Sequence, residues 1–318
     1  MPTKIDVAIT SFRRPEMVVA AVRSCLAQGE WLGRVVVVDD ASEDDTAARL
    51  AALGDPRVLL HVRPQNGGIG AARKDALDRC SAEWSVTLDS DHELLPGALR
   101  TLSARADAAH ARIGIIGARF RWDTGVVTPV HVPERSIGYE DRIRWSARPD
   151  SIGADYLCCT SRRVRERVSW STERSGLVDV LFQLDAARVA DAEFTNECLA
   201  YQKSTGAEGH TRGTVEHLLA RRRRDAPGAV AVCRQILDRH GTALAAWGRP
   251  ILAGVLKEGA TSAAILGRRL LAARWACRAV ATGGPAAITP AWVPACLAGP
   301  PIFTWAYRKS LVRGGATS

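Results

Sequence analysis

The sequence predicts a doubly wound α/β fold, a mostly parallel sheet flanked by helices, followed by an all-helical C-terminal region. Three observations predict it. Short β-rich apolar runs alternate with helical runs over the first 120 residues, the order that builds parallel sheets through right-handed crossovers. Arg34–Asp39 (RVVVVD) is apolar almost throughout, as a strand covered on both faces must be. Beyond residue 213 the chain turns to Ala, Leu and Arg with few strand formers.

The elements follow in order. Ile5–Thr10 reads as a strand, and Pro15 opens a helix over Met17–Gln28 that stops at Gly29, the usual punctuation of Pro at the start and Gly past the end. Strand Arg34–Asp39, helix Thr46–Leu53, strand Val58–Val62, helix Ile69–Arg79, strand Trp84–Leu88, helix Pro96–Arg105 and strand Ile113–Phe120 come next. Residues 123–152 are polar with scattered Pro and Gly and read as a long loop. Helix is expected after about residue 175, with breaks at Pro227–Gly228, Gly241 and Gly259–Ala260. The domain reading is 1–212 for the α/β part, split into 1–105 and 106–212, and 213–318 for a basic helical region.

Composition narrows the class. An apolar fraction of 47% and a charged fraction of 24% are those of a globular chain, not a disordered or disulfide-stapled one. The eight cysteines form no C-x-x-C pair and sit mostly among apolar residues, so they read as reduced and the protein as cytoplasmic. Residues 211–318 carry 16 Lys and Arg against four acids. That excess suits an anionic membrane surface or a phosphorylated acceptor ahead of nucleic acid, or is a solvated helical face. The segment 261–281 is apolar nearly all round between its arginines. It fits a homodimer interface, a peripheral membrane contact, a cover over an acceptor cleft, or plain packing. Trp292, Trp305 and Tyr307 beside Arg308 and Lys309 suggest an interfacial edge, and the prolines of 286–307 an irregular tail and no spanning helix.

In a doubly wound sheet, ligands bind beyond the C-terminal strand ends, and four polar clusters fall there. They are Thr10–Arg14, Asp39–Ser42, Asn66–Arg73 and Asp89–His92. Each suits part of a nucleotide diphosphate. Asp40 can accept hydrogen bonds from a base, and the glycines at 67, 68 and 70 let backbone approach a ligand. The helix start after them favours anions, and Arg73 adds a fixed cation. Asp89 and Asp91, on an extended segment, can point the same way and offer hard oxygens to Mg²⁺ or Mn²⁺. Taken singly, each cluster also reads as a turn or a helix cap. The four in order carry the weight.

The segments VAITSFRRPEMVVAAVRSCLAQ, VVVVDDASEDDT, RPQNGGIGAARKDAL and VTLDSDHELLPGAL resemble the successive motifs of the family 2 glycosyltransferases, enzymes of the GT-A fold. The resemblance is close over residues 4–105 and loose over 106–210. It implies a nucleotide-sugar donor, UDP-sugar first and GDP- or dTDP-sugar after it, a divalent metal, and transfer with inversion to an acceptor it does not name. By position, Thr10 and Phe12 border the nucleobase, and Asp40 reads it. Gly68 and Arg73 lie near base and diphosphate. Asp89 meets ribose and metal, Ser90 belongs to the donor site, and Asp91 ligates the metal directly. His92 stands where the family often has another Asp.

An inverting transfer needs a carboxylate to deprotonate the acceptor. The family's Glu-Asp pair reads Val178-Asp179 here, which makes Asp179 the candidate base with Glu173 as the alternative. Asp179 as a helix cap is the structural reading of the same position. His210 matches a late His that serves some members as a further metal ligand. The rival functions are a nucleotidyltransferase, poorly served by Arg13-Arg14 without glycines, and an inactive GT-A-fold binding or scaffold protein.

Overall fold

A computed structural model describes residues 2–149, 155–203, 214–283 and 292–313. Two compact units divide the chain: Met1–Thr172 with Phe182–Ser204, and Glu173–Leu181 with Thr205–Ser318.

The first unit is the expected α/β layer structure. Its first half runs β1 (Ile5–Ser11), α1 (Pro15–Leu26), β2 (Leu32–Asp39), α2 (Thr46–Ala51), β3 (Val58–Val62), α3 (Ile69–Asp78) and β4 (Trp84–Asp89). It continues with β5 (His92–Leu94), α4 (Ala98–Ala108), β6 (Ile113–Trp122), β7 (Val127–Thr128), α5 (Tyr139–Ser146), β8 (Leu157–Ser161) and α6 (Arg162–Arg167). Helix α7 (Val178–Val189), of which Phe182–Val189 belong to this unit, leads into β9 (Asp191–Gln202). The strands form one sheet in the order β3-β2-β1-β4-β8-β6-β9-β5, with β7 on β6. β3, β2, β1 and β4 are mutually parallel, as are β6 and β9, whereas β8 runs against both its neighbours.

Every residue of β1 is buried, and Val35–Asp39 of β2 are too. These strands with Val18, Val22, Leu99 and Leu102 from the covering helices make the core. Asp6 lies within that core at 1% exposure. Its carboxylate accepts the backbone amides of Arg34 at 2.8 Å, Ser81 at 2.6 Å and Ala82 at 2.8 Å, which satisfies the charge and ties β1 to β2 and to the α3–β4 connection.

The structure corrects the expectations for the second half of this unit. The loop read over 123–152 contains α5, whose inner face includes a buried arginine, Arg142, so its apolar stripe is interrupted. The chain after 175 is not all helix, because β9 is a 12-residue strand. Its pairing with β6 shifts register around Arg119, and a bulge breaks the period-two pattern that would reveal a strand.

The second unit contains α8 (Val215–Trp247), α9 (Arg249–Ile265), α10 (Arg269–Gly283), α11 (Trp292–Ala298) and α12 (Pro300–Arg313). Thr214 caps α8 by accepting the His217 amide. The expected breaks do not occur: α8 runs through Pro227, Gly228 and Gly241, and α9 through Gly259. The helices end instead around Gly248 and Gly267. Gly228 and Gly259 are packing glycines. A Cβ at Gly228 would stand 2.5 Å from the Arg174 carbonyl oxygen, and one at Gly259 2.5 Å from the Trp275 ring. The described part of the tail expected to be irregular, from Trp292 on, is largely helical, and Pro300 and Pro301 occupy the first turn of α12, where a proline costs no hydrogen bond. Arg222, inside the basic run, bonds the Tyr307 hydroxyl at 3.0 Å and pairs with Glu258, so that run is partly internal. Among the described residues no helix is long and apolar enough to cross a membrane.

Candidate active site

The strand ends that should carry the site finish level. Ser11 pairs with Asp39 across β1 and β2, and Thr10 with Asp89 across β1 and β4. Past them the backbone is strained. Among the described residues the non-glycine positions with positive φ are Arg13 (55°), Ala41 (60°) and Glu43 (56°). All three follow β1 or β2. Left-handed backbone costs a side-chain-bearing residue about 1–2 kcal/mol, and such strain gathers at functional rims.

Side chains hold the two turns together. The Asp39 carboxylate accepts from the Ser42 amide at 3.1 Å and from its hydroxyl, and Ser42 Oγ accepts the Arg13 amide at 2.8 Å. Thr10 is buried, and the half-buried Phe12 ring lies beneath the Arg13 guanidinium at 5.1 Å.

Asp40 organises the glycine loop. Its carboxylate, 4% exposed, accepts the Gly67 and Gly68 amides, both at 2.8 Å, and Arg63 Nη1 at 2.7 Å. Gly68 has φ 88° and ψ 170°, a region open to glycine alone. The loop thus depends on both Gly68 and Asp40. Three accepted bonds leave a carboxylate further lone-pair capacity for a ligand.

Arg73, on the second turn of α3, bonds both oxygens of Asp89 at 2.8 and 3.1 Å. Burial pushes the Asp89 carboxyl up, but Arg73, then His92 and Arg14, outweigh it and hold the carboxyl down at about 2. The other face of Arg73 rests on the Trp170 ring at 4.8 Å, and Trp170 stacks on Phe182 at 4.3 Å. The guanidinium is therefore fixed before any ligand arrives.

Ser90 and Asp91 form a turn between β4 and β5, so the segment is not extended as the sequence suggested. The turn still converges the acids. Ligand-capable atoms of Asp89, Asp91 and His92 lie within 4.8 Å of one another. His92 Nδ1 is 3.0 Å from Asp91 Oδ1, and its ring packs edge-on to Phe120 at 4.9 Å. Arg14 Nη1 approaches Asp91 Oδ2 at 3.2 Å. Ser90 is buried within the turn.

The structure thus brings Thr10, Asp40, Gly68, Arg73, Asp89, Ser90 and Asp91 to one rim. Asp179, half-buried in the first turn of α7, and the exposed Glu173 belong to the second unit. His210 lies outside the described residues. Sequence reasoning placed Arg14 and His92 in the strand-end clusters without giving either a role, and it missed Trp170. Trp170 reaches the site through folding alone.

Comparison with known proteins identifies a family and a fold. The model of glycosyl transferase family 2 matches residues 6–168. The succinoglycan biosynthesis protein ExoO of Rhizobium meliloti is 39% identical over 111 residues, 35% of this chain and 32% of that protein. The GalNAc(5)-diNAcBac-PP-undecaprenol beta-1,3-glucosyltransferase of Campylobacter jejuni is 31% identical over 113 residues, 35% of this chain and 37% of its own. The chain therefore matches about a third of the length of these relatives. Residues 1–349 of S. aureus TarS share the fold, with a TM-score of 0.55 and 15% identity over 98% of this chain and 92% of that one. That protein has also been solved with UDP and with UDP-GlcNAc.

Proposed function

The chain belongs to glycosyl transferase family 2, and from that membership we propose that it transfers a sugar from a UDP-sugar to an acceptor hydroxyl with inversion. The observation that carries this reading is the convergence of Asp89, Asp91 and His92 at a rim already fitted with a glycine loop and two arginines. The UDP and UDP-GlcNAc complexes of TarS, a protein of the same fold, support the choice of donor.

The residues fit a divalent metal. Two carboxylates and an imidazole form a donor set of hard oxygen and borderline nitrogen, suited to Mn²⁺ and also to Mg²⁺. Asp91 and Asp89 would hold it, with His92 as a third ligand and His210 as a proposed further one. A bound ion supplies charge neutralisation of the departing diphosphate.

The chain's own residues do the rest. Thr10 and Phe12 bound the base, and Asp40 offers it the acceptor capacity left over from the loop. Gly68 lets backbone approach the donor, and Arg73 supplies positive charge beside the phosphates. Ser90 closes the floor of the turn. The reaction joins the acceptor oxygen to the anomeric carbon as the bond to the diphosphate breaks. Asp179, with Glu173 as the alternative, takes the acceptor proton. Its support is the motif match and its place opening α7.

The test is Mn²⁺ and UDP binding, measured by calorimetry, alongside donor turnover. Asp91→Asn should lose Mn²⁺ binding and turnover while keeping its unfolding transition. Full turnover of that variant in the presence of a chelator would overturn the metal-assisted reading.

A further inference from the structure

Far from the strand-end rim in sequence, the last helices leave apolar side chains in water. Among the described residues, Leu270 is 82% exposed, Trp305 59%, Ile302 54% and Leu297 47%. These are not the core faces of their helices turned outward. On α12 the core face is Phe303 and Tyr307, at 1% and 9% exposure, packed on the Trp292 ring. Ile302 and Trp305, three residues apart on one turn, form a second apolar stripe beside it.

The stripe extends onto neighbouring elements. A Cβ at Gly299 would stand 2.6 Å from the Arg269 guanidinium, and one at Gly267 3.5 Å from Pro300 Cγ. The start of α10, which carries Leu270, therefore abuts the α11–α12 turn, which Leu297 and Ile302 flank. The four exposed side chains thus lie on adjoining elements of the second unit.

Charge decides what covers them. Residues 259–318 contain seven Lys and Arg and no Asp or Glu. Arg268 and Arg269, at the head of α10, are exposed beside Leu270, while Arg308 is paired with Glu216. A second copy of the chain is a poor occupant, because across a two-fold contact residues 259–318 bring cations and no acid of their own, and Glu216 is already paired with Arg308. A nucleic acid leaves the aliphatic side chains uncovered. An anionic bilayer satisfies both features, since headgroup phosphates meet the arginines and Trp, Ile and Leu enter the headgroup–acyl boundary. No described helix is able to span a membrane, so the contact lies on the surface.

We propose that the patch of Leu270, Leu297, Ile302 and Trp305 docks the protein on an anionic lipid bilayer. The test is co-sedimentation of the full chain with vesicles of phosphatidylcholine alone and of phosphatidylcholine and phosphatidylglycerol in equal parts. The parent binds the mixed vesicles more tightly, and added salt weakens that binding. Leu270→Ser, Ile302→Ser and Trp305→Ser combined lower mixed-vesicle affinity by about tenfold or more with the unfolding transition unchanged. Arg268→Glu removes part of the preference for phosphatidylglycerol.

Equal sedimentation of the triple variant and the parent overturns the proposal, as does binding indifferent to phosphatidylglycerol. If the triple variant instead dissociates an oligomer, seen by light scattering, and binds vesicles as the parent does, a second copy is the occupant and the proposal fails. The assay contains neither donor nor acceptor, so its outcome is independent of the transfer reaction.

Discussion

Replacing Asp40 by Asn removes one negative charge and turns one acceptor oxygen into a donor. In the parent, one carboxylate oxygen takes the Gly67 amide and Arg63 Nη1, and the other takes the Gly68 amide. The best amide orientation keeps its oxygen on Gly67 and Arg63 and sets its NH₂ against the Gly68 N–H. One charge-assisted bond is lost, the Gly67 bond becomes neutral, and the Arg63 bond stays charge-assisted through its guanidinium. Bonds to a charged group contribute about 1.5–3 kcal/mol and neutral ones about 0.5–1.5, so the change costs about 3 kcal/mol. Solvent recovers little of it, because the Asp40 side chain is only 5% exposed. A melting point falls about 2–4 °C per kcal/mol in a unit of this size, which gives a drop of about 6–12 °C by calorimetry. A drop under about 2 °C would refute the idea that Asp40 organises the loop. Binding by the folded variant then separates Asp40's two roles. If Asp40 also reads the base, UDP affinity falls far more than pyrophosphate affinity; if it only holds the loop, the two fall together.

Two glycines of one helix should respond with opposite signs to the same substitution. Gly241→Ala meets nothing within 4 Å and stabilises by up to about 1 kcal/mol through helix propensity. Gly228→Ala drives a methyl into the Arg174 backbone and destabilises by about 1–3 kcal/mol, and urea unfolding of both variants checks the sign. Asp89 is depressed from its ordinary 3.8 to about 2. A lowered folded-state value means its contribution is present above 3.8 and is lost as pH falls through about 2. Removing the cation in Arg73→Met takes away the strongest lowering influence, so the Asp89 carboxyl resonance should titrate higher than in the parent, with His92 and Arg14 still opposing burial. An unchanged titration midpoint would remove Arg73 as the cause.

The first half of the fold was readable because local signals and long-range pairing agree there. β1 to β4 are short, mostly apolar and parallel, Gly and Pro punctuate them, and β1, β2 and β4 each end in a polar residue of the rim. Past residue 122 the signals conflict. Arg142 occupies the inner face of α5, 3% exposed, bonding Gln183 at 2.7 Å and lying over Tyr156 at 5.1 Å and Phe194 at 5.3 Å. A buried cation on an apolar stripe looks like surface in a sequence. The register shifts of β9 hide its alternation. In the C-terminal helices, Gly228 and Gly259 looked like breaks because glycine usually lowers helix stability. Their purpose is a close approach of distant backbone or rings, which no local pattern encodes.

Residue type alone did not separate the acids of the scaffold from those of the site either, but their partners do. Asp6, Asp39 and Asp40 accept backbone amides. A main-chain donor cannot turn away, so these carboxylates are committed to the scaffold, and their loss should be read in stability. Asp89 and Asp91 are met, among the described residues, by side chains only: Arg73, Arg14 and His92. These acids hold no main-chain donor in place, and a carboxylate that accepts one or two side-chain bonds keeps lone pairs to share with an incoming ion. The two carboxylates met by side chains alone are also the two whose oxygens converge with an imidazole. That coincidence is why Asp91→Asn is expected to silence metal binding at an intact fold, whereas Asp40→Asn weakens the fold itself.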